Sequence, residues 1–203
     1  RGIYEYTWGD KKRGLESLGH VLHLIEDASV PDHTRNDPHK GAGPSGLYTG
    51  ESPYEKWADE TQNRNTLAGL AQALNTGGLQ PRLFSSLSEH FDFLASYSNK
   101  NFYSKDTISS SLFKYPDPSI TEIGEQYAFG KDTLTHRNEK LLLIIRDKEN
   151  PTVATTQLDS PDNHSVLENY FSRLSQQAIL SGAGVIDLFF KEADAARERL
   201  SQE

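Results

Sequence analysis

The stretch that most constrains this chain is residues 18–33, LGHVLHLIEDASVPDH. Its spacing predicts a helix over residues 14–28, in which each residue turns about 100° and His20, His23 and Asp27 fall within a wedge of roughly 60°. Leu15, Leu18, Leu22 and Ile25 point the other way and form the apolar stripe. Pro31 stops the helix and turns the chain, which returns His33 toward the same polar face. Four of the seven histidines, at 20, 23, 33 and 39, crowd into this segment. A His and an Asp four residues apart set an imidazole nitrogen and a carboxylate oxygen one turn, about 6 Å, apart along the axis. That spacing suits one divalent metal ion. The same residues also suit the plain solvent face of an amphipathic helix, where Glu16 joins them without being a ligand.

The rest of the composition narrows what such a site can be. With no cysteine in the chain, neither a disulfide framework nor a thiolate zinc site is possible, so any metal must be held by His and carboxylates. A net charge of −8 argues against a surface that tracks nucleic acid by counterion release, although a local metal cluster can reverse the field inside a cleft. The chain has 203 residues, enough to bury a real core, and reads as one domain over residues 1–203. No apolar run approaches the roughly 18 residues a membrane span needs; the longest candidate, AILSGAGVIDLFF, is short and contains Asp187. No signal peptide is visible, and a start at RGIYEY without Met reads as a mature, trimmed or partial chain.

Along the chain, a helix is entered or interrupted near Gly9-Asp10 before the segment above. Residues 34–52 form a long Gly-, Pro-, Ser- and Thr-rich loop that carries Arg35, Asn36, Asp37 and His39, and loops of that length are usually functional or mobile. Ser52-Pro53-Tyr54-Glu55 reads as a helix start with a capping box, a role for Glu55 that needs no metal. That helix is expected to run from Pro53 to about Asn75, with Tyr54, Trp57, Leu67, Leu70 and Leu74 in the core and Gly77-Gly78 ending it. After Pro81, Leu83, Leu87, Phe91, Leu94 and Tyr97 form a helical stripe, and His90 beside it reads as a packed or solvent-edge histidine and not a ligand. Between about Tyr115 and Pro161 the pattern changes: EQYAF, KLLLIIRD and TVATTQL read as strands of a small antiparallel excursion near residues 120–158, for packing or substrate access. His136 and His164 lie in polar, exposed contexts. Ser160-Pro161-Asp162 opens a last helix to about Leu200, with Val166, Tyr170, Leu174, Ala178, Val185, Leu188 and Phe189 buried. Gly182 and Gly184 in it allow a close neighbour or a kink. The fold class is mainly α.

Leu18-Gly19, His23, Asp27, Val30-Pro31 and His33, followed by Tyr54-Glu55 in SPYEKW, resemble the core of the zinc-dependent phospholipase C family and its relatives, the fungal single-strand nucleases. In that family a helix carries His-x-x-x-Asp, a second His follows the Asp after the interval seen here from Asp27 to His33, and a later helix adds a carboxylate. The resemblance covers about residues 10–62; the C-terminal SGAGVIDLFFK is similar, less diagnostically, to closing helices of larger bacterial members. It implies a phospholipase C-like helical domain, secreted or in the periplasm or cell envelope, that binds up to three zinc ions.

By the same resemblance, Asp27 bridges two metals, His23 binds one of them, and His33 with Glu55 holds a further zinc; Asp27 and Glu55 are then the catalytic residues. Where the family has a His four residues before the late carboxylate, this chain has Glu51. Either Glu51 substitutes, or His39 reaches in from the loop. His39 is preferred, because imidazole is the commoner zinc partner and a glycine-rich loop can bend to deliver it. His20 reads as an outer partner or an exposed residue. The family draws further ligands from upstream, including an N-terminal residue that is usually Trp, whereas Arg1 stands here. Either the sequence is the C-terminal part of a longer or cleaved protein, completed by a missing N-terminal segment, or the site is reduced.

Three readings follow. The first is a zinc-dependent phosphoester hydrolase in which activated water attacks a phosphodiester, with phospholipid as substrate and peripheral membrane contact. The second is a single-strand nuclease, which the acidity disfavours. The third is a catalytically incomplete interaction domain with one structural metal or none.

Overall fold

The computed structural model describes residues 1–35, 53–60, 65–103 and 117–200. Within them lie helices α1 (Gly2–Trp8), α2 (Lys11–Asp27), α3 (Pro31–Arg35), α4 (Pro53–Asp59), α5 (Asn65–Thr76), α6 (Leu87–Asn101) and α7 (Ser165–Leu200), and strands β1 (Ile120–Ile123), β2 (Tyr127–Lys131), β3 (Asn138–Arg146) and β4 (Ala154–Gln157). The mainly helical reading with a small antiparallel excursion is what the structure has. The strands form a four-stranded meander in the order β1-β2-β3-β4.

α7 is the spine. Its 36 residues extend about 54 Å, long enough to pack against α1, α2, α4, α5, α6 and β3 in turn. Two apolar clusters form along it. Toward its N-terminal end, Val166, Leu167, Tyr170 and Leu174 pack with Tyr54 and Trp57 of α4, with Tyr97 and Phe102, and with Leu141, Leu142 and Leu143 of β3. Toward its middle, Ala178 and Val185 meet Leu18, Ile25 and Ala28 from α2 and the turn after it, and Leu94 from α6. Gly184 marks the tightest approach, because a Cβ there would collide with the Arg82 carbonyl oxygen. Of the two roles open to this glycine, admitting a neighbour is the one observed.

α1 and α2 form a hairpin. Asp10 caps α2 by accepting from the Lys12 amide at 2.9 Å, and α1 lies so close that a Cβ on Gly14 would meet the Tyr6 backbone at 2.7 Å. Leu18 and Ile25 are buried as the stripe requires, but Leu15 is 46 % exposed. The apolar period assigns Leu15 to the core side; it lies toward the N-terminal end of α2, away from the Ile25–Leu94 contacts of the cluster.

Other boundaries shift too. The helix expected from Pro53 to Asn75 is described as two helices, α4 and α5, with residues 61–64 outside the described ones. Leu83 stands outside α6 and is exposed, because Ser86 and Glu89 form a capping box that starts the helix at Leu87. Residues 160–163 make an isolated bridge instead of a helical turn, so α7 opens at Ser165. Among the described residues, no helix is long and apolar enough to cross a membrane.

The sheet is tied to the helices through polar groups. A register shift between Ala128 and Phe129 leaves Leu141 of β3 without a partner in the ladder, and its carbonyl accepts the Tyr170 hydroxyl at 3.0 Å. Asp132, 1 % exposed at the β2–β3 turn, accepts the Leu134 and Thr135 amides on one oxygen, and the Tyr97 hydroxyl and Arg173 guanidinium on the other. Burial by itself would raise its pKa. The hydrogen bonds from Tyr97, Thr135, Leu134 and Arg173 outweigh burial and hold the carboxyl below its ordinary value.

A carboxyl depressed in the folded state gives stability that is present above its unfolded pKa, about 3.9, and is lost as pH falls through the folded value. Asp132→Asn is therefore expected to lower the unfolding free energy at pH 7 by about 3 kcal/mol, since it removes the buried carboxylate 3.1 Å from Arg173 and leaves that guanidinium with the Glu139 carboxylate, at 3.9 Å. The variant should also lose less stability than the parent between pH 7 and pH 3. Urea denaturation at both pH values checks this, and equal losses would contradict the assigned role.

Candidate metal centre

The last turn of α2 presents His23 and Asp27 on one face, with His23 Nε2 3.5 Å from Asp27 Oδ2. A tight turn follows. Ala28 stays in the right-handed helical region, the Val30 amide donates to the Asp27 carbonyl, and Pro31 opens α3 as its first residue. Pro31 thus ends one helix by starting another, and the short α3 carries His33 back over α2. His33 Nδ1 lies 3.6 Å from Asp27 Oδ1, and its Nε2 lies 3.0 Å from Glu55 Oε1 on α4. The four residues run in one line, His23–Asp27–His33–Glu55, and the structure brings together all of the expected site residues that it describes. His39 and Glu51 lie outside the described residues, as does Ser52, the expected cap for Glu55.

The spacings can be compared with what zinc requires. Two donors each about 2.0–2.1 Å from a tetrahedral zinc stand about 3.3 Å from one another. The pairs at 3.0, 3.5 and 3.6 Å sit close to that edge, so each fits zinc with small shifts. The two nitrogens of His33 face different carboxylates, and one ion cannot take both. The set is therefore a run of three donor pairs, with Asp27 and His33 each in two of them, and not one cage; among the described residues no group of three or more His, Asp or Glu side chains is disposed to hold a single ion. The carboxylates of Asp27 and Glu55 give the line the oxygen donors that a dication favours.

Beneath the line, the site is firm. Tyr54 is 4 % exposed and packs edge-on to Phe102. Burial first, and the negative charge of Asp32 second, push its phenol well above the ordinary value against the opposing charge of Arg173, so Tyr54 stays neutral under Glu55. Arg35, at the end of α3, is fully buried; it donates to the Phe102 carbonyl and pairs with Asp117 at 3.4 Å. Thr34 meets the Ser98 hydroxyl at 2.9 Å, and Asn99 Nδ2 donates to the Thr34 carbonyl at 3.3 Å.

The other histidines lie elsewhere. His20 is exposed on α2, while His90 is buried edge-on against Phe84, where burial lowers its pKa and Glu89 opposes the shift. His136 adopts a left-handed backbone with φ of 58°, and His164 pairs with Asp159 at 2.6 Å on the surface. Glu16 pairs with Lys12 instead of joining the line.

Sequence reasoning does not find the polar groups under α3: Ser98, Asn99, Thr34 and the buried Arg35. One signal points to them, since Ser98 falls four residues after Leu94 on the buried stripe of α6, where a polar residue needs a partner.

Comparison with protein-family models, with curated proteins and with solved structures finds no match to this chain.

The His33 pairs are part-exposed, with side-chain exposures of 38 % for His33, 35 % for Asp27 and 23 % for Glu55, so their mutual attraction adds little to folding. His33→Ala is expected to change the unfolding free energy by less than about 1 kcal/mol. A loss several times larger on chemical denaturation would mean that the line is a structural brace and not a functional site.

Proposed function

We propose that this chain is a zinc-dependent phosphoester hydrolase of the phospholipase C type, with a phospholipid as its preferred substrate. The observation that supports the reading is the convergence of His23, Asp27, His33 and Glu55, from three helices, at spacings close to the edge of a zinc tetrahedron. Asp27 offers one oxygen to each imidazole, which suits a carboxylate shared between two ions. His23 Nε2 with Asp27 Oδ2 would hold one ion, and His33 Nε2 with Glu55 Oε1, across the ring from the nitrogen that faces Asp27, would hold a further one. His39 or Glu51 is the proposed source of a further ligand, together with any segment upstream of Arg1.

Zinc supplies Lewis acidity at such a site, making hydroxide available near neutral pH and offsetting charge on the phosphoryl oxygens. The residues supply the rest. Glu55, whose side chain is 23 % exposed, would orient a water and take its proton as the water attacks phosphorus, and would return that proton to the ester oxygen as its bond to phosphorus breaks and the alcohol leaves. Asp27 fixes both imidazoles relative to each other, so the attack geometry is set before substrate arrives. A net charge of −8 favours phospholipid over nucleic acid as the phosphodiester, because a polyanion would be repelled at long range.

Elemental analysis of chelator-free protein tests the metal. About three zinc per chain supports the hydrolase, whereas one or none supports an interaction domain. His23→Ala is expected to contain less zinc than the parent; equal content would remove His23 from the site. Parallel assays on phosphatidylcholine and single-stranded DNA then separate phospholipase from nuclease, with phosphatidylcholine turnover expected and falling at least about 100-fold in Glu55→Gln.

A further inference from the structure

The turn that carries His33 over Asp27 is bonded within itself, through Ser29 to the Glu26 carbonyl and Val30 to the Asp27 carbonyl, and from outside by a hydroxyl on another helix. Ser98 of α6 is fully buried and reaches both sides of the turn. Its Oγ lies 3.1 Å from the Ala28 carbonyl, 3.1 Å from the Ala95 carbonyl of its own helix and 2.9 Å from Thr34 Oγ1. Ala28 directly follows Asp27, and Thr34 directly follows His33. Each hydroxyl has one proton, and the order Thr34 to Ser98 to the Ala28 carbonyl is the one that ties both sides of the turn, in competition with the Ala95 carbonyl for Ser98 and the Pro31 carbonyl at 3.2 Å for Thr34. Asn99 adds a second tie by donating to the Thr34 carbonyl at 3.3 Å.

We propose that Ser98 is a positioning residue for the candidate metal centre: it fixes the α2–α3 angle and so sets the His33 imidazole between Asp27 and Glu55. This rests on the metal reading only for its consequence, a preformed pair of zinc seats. The placement of His33 itself is a property of the metal-free fold. Ser98 bonds to none of the four line residues, so it acts through Ala28 and Thr34. Ser98 is sealed from solvent, so water does not replace the hydroxyl easily.

The test uses Ser98→Ala, Thr34→Val and Thr34→Ser in the full chain. Thr34→Val keeps the shape and removes the hydroxyl, and Thr34→Ser keeps the hydroxyl and serves as the rescue. Ring 15N–1H spectra of the histidines in metal-free protein are expected to shift at His33 in Ser98→Ala and Thr34→Val, with His136 and His164 unmoved, and to return toward the parent in Thr34→Ser. Zinc affinity by chelator competition, measured well below each variant's melting temperature, is expected to fall about 10-fold in the first two and to recover in the third. The cobalt-substituted visible spectrum should change in the same two variants.

An unchanged His33 ring signal in both folded Ser98→Ala and folded Thr34→Val overturns the inference, whatever the zinc result. Should Ser98→Ala not fold, Thr34→Val against Thr34→Ser decides alone. If His33→Ala binds zinc as tightly as the parent, the metal reading fails, and the ring spectra still decide the positioning role.

Discussion

A charge buried in a protein interior must be matched there, and Asp132 is the place where this fold most depends on that match. Its carboxylate is almost sealed from water, yet two backbone amides, a tyrosine hydroxyl and the Arg173 guanidinium all converge on it. Those partners come from the β2–β3 turn, from α6 and from α7, so one ion fixes the sheet to the two helices that frame the core. Tyr170 repeats the tie one turn earlier on α7, where the carbonyl of Leu141 receives its hydroxyl.

From that anchor the candidate site is built outward. α6, held by Asp132 at Tyr97, presents Ser98 and Asn99 on its next two positions, and these grip the turn between α2 and α3. Arg35 closes the same turn from below through Phe102, the residue that ends α6. Asp27, His33 and Glu55 thus stand part-exposed above a set of buried polar contacts, and His23, at 71 % side-chain exposure, stands at the outer end of the line. Rigid support under an accessible constellation is what a binding or catalytic site needs, because chemistry requires donors held in place before the ligand arrives.

Much of the site is legible in the order of residues alone. His23 and Asp27 are one helical turn apart, and a helix puts such residues on one face whatever lies around it. The proline after Val30 announces a change of direction, and the chain does turn there. Local pattern misleads where neighbours decide. Leu15 fits the apolar period and is still exposed. Ahead of Leu87, the apolar stripe points to a start near Leu83, whereas the capping pair Ser86 and Glu89 fixes the true one.

Residue order dictates the local geometry: the amphipathic face of α2, the strand runs of the meander, the long closing helix, and the chemistry available to a chain without cysteine. These follow from backbone periodicity and side-chain type, which act over a few residues. Packing in three dimensions is what sets Glu55 3.0 Å from His33, brings the Leu141 carbonyl to Tyr170, and lodges Ser98 between Ala28 and Thr34. Such contacts join residues far apart along the chain. Their distances depend on how α4, α6 and α7 fit against one another, which no local period encodes.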